Sequence, residues 1–184
     1  MLKGVSIYLI GMMGSGKTTI GKKLANRLSY RFLDLDSLIE KVTKKTINEI
    51  FATGGESAFR AIESQILAET SSYTRTVIST GGGAILEQTN WGSLRHGLII
   101  WLDAPIEVIF SRLATDDTRP LLRVANPLLE LTTILENRIS LYQQADLKIL
   151  QTLEQTPEEI IEEIILKIPS VLKNTKQQTL EYLN

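Results

Sequence analysis

Gly11, Gly14, Gly16, Lys17 and Thr18 stand at the spacing of a phosphate-binding loop in the run Gly11-Met12-Met13-Gly14-Ser15-Gly16-Lys17-Thr18. Glycines let such a loop turn its backbone N–H groups toward a phosphate, and the helix that follows adds a positive partial charge. Lys17 can then reach the β- and γ-phosphate oxygens, and the Thr18 hydroxyl can ligate Mg2+. Gly14, Ser15, Gly16, Lys17, Thr18 and Thr19 are therefore the candidate nucleotide-binding residues. The bland alternative is a structural glycine turn. Against it, the loop sits between a β-rich run and a helix-spaced run, the context that phosphate binding requires.

Further candidates lie at intervals along the chain. Asp34 and Asp36 end an apolar run, and period-two geometry would point both to one face at the carboxyl end of a strand. One could hold the water shell of a metal while the other takes a proton from an acceptor hydroxyl; a helix cap at Asp36 is the structural alternative. Arg60 and Glu63, one helical turn apart, fit a solvated ion pair equally well. Gly81-Gly82-Gly83 carries an entropic cost, and one reason to accept it is close approach of the backbone to a ligand; a flexible turn is the bland alternative. Arg119 lies in the irregular Thr118-Arg119-Pro120-Leu121-Leu122 segment, which could close over a nucleotide and deliver a cation to the transferring phosphoryl group. Arg112 and Arg138 alone could be surface residues. Asp103, with Pro105 behind it, reads as a strand-to-helix cap, and His96, Trp91 and Trp101 read as packing or surface residues.

These residues need a scaffold, and the apolar spacing supplies one. Residues 4–10, 30–35, 76–80, 97–102 and 147–150 read as strands; 17–28, a stretch after the Gly54-Gly55 break, a segment opened by Pro105 and ending near Ala114, 128–145 and a helix capped by Thr156 and Glu159 running through Lys167 read as helices. Ser37 and Glu40 have capping-box spacing for one more helix. Strands that alternate with helices predict a parallel sheet covered on both faces, with ligands at the carboxyl ends of its strands. The expectation is one domain over residues 1–168, with a mobile lid at about 114–127 and a weakly ordered polar tail over 169–184.

Composition narrows the chemistry. With 184 residues, 43% of them hydrophobic, the chain can bury a core, and a net charge of −1 provides no general field for nucleic acid or an anionic membrane. No cysteine is present and His96 is the single histidine, which excludes thiolate nucleophiles, disulfides and Cys- or multi-His metal sites. No apolar run approaches the roughly 20 residues of a membrane span. The first apolar run begins at Val5, which leaves no space for a signal or transit peptide and predicts a cytoplasmic protein.

Taken together, GMMGSGKTTIGKKLA, FLDLD, IFATGGESAFRAIE, STGGGAIL, TRPLL and the arginine of ENRISLY resemble the shikimate kinase family in order and spacing over about residues 5–165. The resemblance implies a three-layer α/β/α P-loop kinase fold with a five-stranded parallel sheet, related to nucleoside monophosphate kinases. It also implies transfer of the γ-phosphoryl group of ATP to the 3-hydroxyl of shikimate with Mg2+. On that basis Lys17 matches the phosphate-binding lysine, Thr18 the metal ligand, Asp34 the carboxylate that supports the metal through water, and Asp36 the carboxylate that binds the reacting hydroxyl. Arg60 and Arg138 match the arginines that grip the shikimate carboxylate, a pairing that suits planar guanidinium groups. Gly82, with Gly81 beside it, matches a backbone contact to the substrate, and Glu63 matches a carboxylate that orients Arg60. Arg119 matches the lid arginine on the ATP phosphates, while Arg112 and Gln155 fall where adenine contacts occur. Leu35 departs from the family, which has a small polar residue between the two aspartates; its side chain should face away from both carboxylates. The implied partners are ATP and shikimate acting on a monomer. A gluconate-type kinase would share the nucleotide half, and a silent nucleotide-binding relative would share the fold without turnover.

Overall fold

Five short strands, β1 (Ile7–Ile10), β2 (Arg31–Asp34), β3 (Thr76–Ser79), β4 (Leu98–Asp103) and β5 (Leu147–Leu150), pair in parallel in the order β2-β3-β1-β4-β5. The structure is a computed structural model that describes residues 2–113 and 126–181, with side chains as far as Leu172. β1 and β3 are buried throughout and β4 almost so, and β1 and β4 accordingly read as apolar runs, whereas β5 alternates as an edge strand should. Seven helices are described: α1 (Lys17–Leu28), α2 (Leu35–Thr43), α3 (Ile47–Thr70), α4 (Gln88–Leu94), α5 (Ile106–Leu113), α6 (Pro127–Tyr142) and α7 (Pro157–Glu181).

Strand alternation divides the core between the two faces of the sheet. Tyr8, Ile10, Ile78, Ile99 and Trp101 face a cluster completed by α2, α3, α4 and α6. Ile7, Leu9, Val77, Ile100 and Leu102 face the other cluster, which α1 and α7 cover. Because every strand runs the same way, the segments after all five emerge along one edge, and Gly11, Asp34, Gly81 and Gln151 meet there. Among the described residues no helix is long and apolar enough to cross a membrane.

Several local expectations need correction. Asp34, not a residue of the Ser37/Glu40 box, is the N-cap of α2: its carboxylate accepts from the Ser37 N–H at 3.2 Å, so the helix begins at Leu35. Asp36 therefore lies in the first helical turn rather than on the strand. Glu40 instead accepts from the Ile47 N–H at 2.9 Å and ties α2 to α3. Leu35 opens α2 and is fully buried in the core. The Gly54-Gly55 break is a kink inside α3, with Gly55 at φ 69°. Asp103 makes an ion pair with Lys148 at 2.8 Å instead of capping α5. The last helix does not end at Lys167; it runs through Pro169 to Glu181, and Ile168, Val171 and Leu172 pack against the second cluster. Most of the expected lid, Arg119 included, lies outside the described residues. Trp91 and Trp101 are buried and His96 is exposed, as expected.

Candidate active site

The phosphate loop leaves β1 and enters α1 through Gly16, which occupies the N-cap position at φ 88° with no side chain capping the first-turn amides. A β-carbon is strained at that φ, so glycine keeps the amide edge open to an anion. Lys17 is only 8% exposed, and its Nζ donates to the Gly11 and Met12 carbonyls, each at 2.9 Å. The Thr18 hydroxyl donates to Asp34 Oδ2 at 2.8 Å and lies 3.5 Å from Ser79 Oγ at the end of β3. The register explains this cluster, because Asp34 and Ser79 are paired residues on neighbouring strands. Lys17, Thr18, Thr19, Asp34, Asp36 and Gly82 line one cleft of about 300 Å3, with Arg112 at its wall.

Gly81-Gly82-Gly83 follows β3 and lies against the phosphate loop, since a β-carbon on Gly82 would stand 3.4 Å from the Met13 nitrogen. Two arginines from distant helices reach this glycine segment. Arg138 of α6 donates to the Gly82 carbonyl at 3.1 Å, joined by the Tyr142 hydroxyl at 3.3 Å. Burial pushes the Tyr142 phenol up to about 12, so it stays a donor. Arg60 of α3 stacks beside Gly83, donates to Glu63 Oε2 at 2.6 Å and to Glu56 Oε1 at 3.1 Å, and lies 5.1 Å from the Phe59 ring. A second hollow, about 660 Å3, opens beside Arg60 between α3 and Leu86 to Thr89.

Glu63 is fully buried, and its Oε1 has no hydrogen-bond partner. Burial pushes its carboxyl up, the ion pair with Arg60 pulls it down, and nearby Asp36 and Glu87 push it up again; the net direction is upward. Burial lowers Arg60, but Glu63 and Glu56 outweigh it and hold the guanidinium firmly charged. Both partners of one ion pair thus move upward. For Glu63 the burial and the acidic neighbours outweigh the pairing, as expected of a fully enclosed carboxylate.

The structure brings together the nucleotide-loop residues, Asp34, Asp36, Gly81, Gly82, Arg60, Glu63, Arg138 and Arg112. Arg112 Nη1 donates to the Gly14 carbonyl at 3.1 Å. Gln155 is not tied to the phosphate loop; its amide donates to Glu163 of α7 at 3.1 Å. Three residues escaped sequence reasoning: Ser79, Tyr142 and Gln151. Tyr142 carried a signal, standing one helical turn after Arg138, whereas Ser79 and Gln151 carried none outside the register of the folded sheet.

An open parallel sheet with a phosphate loop at its carboxyl edge, and two arginines reaching the glycine segment beside it, is the arrangement of an α/β P-loop kinase. The shikimate kinase family model matches residues 13–169. The chain belongs to the shikimate kinase family, and it is an ATP-dependent kinase of a class that works with a divalent metal. It is 54% identical over 175 residues to the shikimate kinase of Nostoc sp., covering 95% of this chain and 97% of that protein. It is 55% identical to that of Rippkaea orientalis, covering 94% and 92%. Among solved structures, the shikimate kinase from Acinetobacter baumannii in complex with shikimate superposes with a TM-score of 0.86 at 39% identity, covering 91% of this chain and 94% of that one. A gluconokinase from Sinorhizobium meliloti, with a TM-score of 0.64 at 18% identity, shares the fold alone.

Proposed function

We propose that this chain transfers the γ-phosphoryl group of ATP to the 3-hydroxyl of shikimate, giving shikimate 3-phosphate and ADP in aromatic amino-acid biosynthesis, with Mg2+ as the metal. The observation that carries this reading is the contact between the two glycine segments. Gly82 lies against Met13 while Arg60 and Arg138 flank the same segment, so a carboxylate held by the arginines sits one loop away from a triphosphate. The relative from Acinetobacter baumannii holds shikimate in a fold of the same shape.

In this reading the first-turn amides of α1 and the Lys17 ammonium bind the β- and γ-phosphates. Thr18 Oγ1 and Asp34 Oδ2, 2.8 Å apart, form an all-oxygen pair that fits Mg2+, with Thr18 as ligand and Asp34 acting through water. When bound, the ion neutralises charge on the phosphate oxygens. Arg60 and Arg138 orient the acceptor, and Glu63 holds Arg60 in place. Asp36 aligns the hydroxyl; as its oxygen bonds to Pγ and the bond from Pγ to the β-phosphate oxygen breaks, the hydroxyl proton passes to the Asp36 carboxylate. Gly14, Ser15, Gly16 and Thr19 complete the phosphate site, Arg112 and Gln155 face the base, Gly81 backs the acceptor, and Arg119 supplies a further cation to the transferring group.

A coupled assay of ADP release with shikimate, with gluconate and without acceptor tests the reading. Release that depends on shikimate is expected. Release driven by gluconate would make this a different acid kinase, and none with either acid would make it a binding protein.

A further inference from the structure

Gln151 follows β5 and is 1% exposed. Its backbone N–H donates to the Asp103 carbonyl at 2.8 Å, carrying the pairing of β4 and β5 one step past the strand and fixing where the side chain starts. From there Nε2 donates to the carbonyl of Ser15, inside the phosphate loop, at 2.8 Å. Oε1 accepts from Arg112 Nη1 at 3.4 Å, and the same nitrogen donates to the Gly14 carbonyl at 3.1 Å. The orientation of the amide follows from its partners, because a carbonyl only accepts and a guanidinium only donates. Gln151, Arg112 and the Gly14–Ser15 carbonyls thus form one closed set of hydrogen bonds beneath the nucleotide loop.

We propose that Gln151 is a positioning residue for the nucleotide: it fixes the carbonyl side of the phosphate loop and sets the guanidinium plane of Arg112 for the base, so that ATP affinity depends on a side chain buried beneath the site. This rests on the nucleotide reading of Arg112 and the phosphate loop given above. The task needs one donor and one acceptor, held in a fixed relation and without charge. Glutamate would still accept from Arg112, but it would set an oxygen against the Ser15 carbonyl and a negative charge near the triphosphate. Methionine would keep the length and lose both bonds, leaving the Ser15 carbonyl without its donor.

The test measures steady-state KM for ATP and for shikimate, together with kcat and thermal unfolding, in Gln151→Met, Gln151→Glu, Arg112→Ala and the double variant Gln151→Met/Arg112→Ala. Gln151→Met should raise KM for ATP by roughly five- to twenty-fold and Gln151→Glu by more, with KM for shikimate within about two-fold. The effect of Gln151→Met should shrink in the Arg112→Ala background, because the two side chains act as one unit. Should the methionine variant fail to fold, the isosteric glutamate variant carries the same comparison. Unchanged KM for ATP in both Gln151 variants, or an equal rise for both substrates, overturns the proposal while leaving the nucleotide reading in place. An Arg112→Ala variant with unchanged KM for ATP removes the base-binding reading of Arg112, and the proposal with it.

Discussion

The guanidinium of Arg60 lies against the α-carbon of Gly83 so closely that a β-carbon there would stand 2.6 Å from Cζ and 2.6 Å from Nη1. Gly81 plays the same part for the acids, since its β-carbon would stand 2.5 Å from Glu63 Oε1 and 3.0 Å from Asp36 Oδ1. The outer glycines of the triple therefore make room for the protein's own charged side chains. The middle one leaves space between the two loops.

Gly83→Ala should accordingly act on the acceptor side alone. The methyl group displaces Arg60, and loss of one charged hydrogen bond to a carboxylate, about 1.5–3 kcal/mol, corresponds to a rise in KM for shikimate of roughly ten-fold or more. KM for ATP should stay within about two-fold. Separate titration of the two substrates checks this, and an equal change in both would place the fault in the fold rather than in Arg60.

Arg138→Ala should weaken shikimate use by roughly ten- to a hundred-fold through the same kind of bond. Because Tyr142 also donates to the Gly82 carbonyl, at 3.3 Å, that carbonyl keeps a partner and the glycine segment should hold its shape. Binding of MgADP, followed by calorimetry, should be unchanged. A loss of nucleotide affinity would mean that Arg138 supports the donor side.

Asp36→Asn separates orientation from proton transfer. The amide keeps the size and one acceptor, so shikimate should bind within a few-fold, while loss of a general base lowers the rate by about 10²–10⁴. The lower end is expected, because in a loose transition state the nucleophile has shed little of its proton. Single-turnover rates with MgATP already bound isolate the step; a rate within three-fold of the parent would leave Asp36 with no role as a base.

Glu63 gives a pH-dependent prediction. Its folded value lies above the unfolded one, so its contribution to stability is complete below the ordinary carboxylate range, about pH 4.3, and is lost as pH rises through the higher folded value. Glutamine does not titrate. The stability of the parent relative to Glu63→Gln should therefore fall as pH rises from about 4 toward neutrality. Glu49, held low by the Thr46 N–H, and Glu158, held low by Lys23, slope the other way, but they are common to both proteins and cancel in the difference. Urea unfolding at several pH values measures it; a flat difference, or one rising with pH, would mean that Glu63 is not destabilised as a carboxylate.

Much of this was legible in the chain because local rules and the fold agree. The phosphate loop is contiguous, β4 is an apolar run bounded by clear breaks, and the Thr156/Glu159 box forms as its spacing suggests, with Glu159 Oε2 accepting from the Thr156 N–H at 2.8 Å. Asp36 was misplaced because Asp34, which ends the strand, also caps the next helix, and period-two reasoning does not see the cap. Tertiary packing overrode Pro169, whose neighbours Ile168 and Val171 find apolar partners in the second core cluster. The links from Gln151 to Ser15 and from Thr18 to Ser79 join residues 136 and 61 positions apart, and only the order of the strands makes them neighbours.

Lys17 shows what the arrangement means for nucleotide capture. Its ammonium is bound to the Gly11 and Met12 carbonyls, so the loop itself orders the long side chain. Ordering a lysine costs up to about 1.5–2 kcal/mol, and here that loss falls on folding rather than on the encounter with ATP. In the proposed reading a triphosphate would meet a charge held in place by the loop, which lowers the ordering cost of binding.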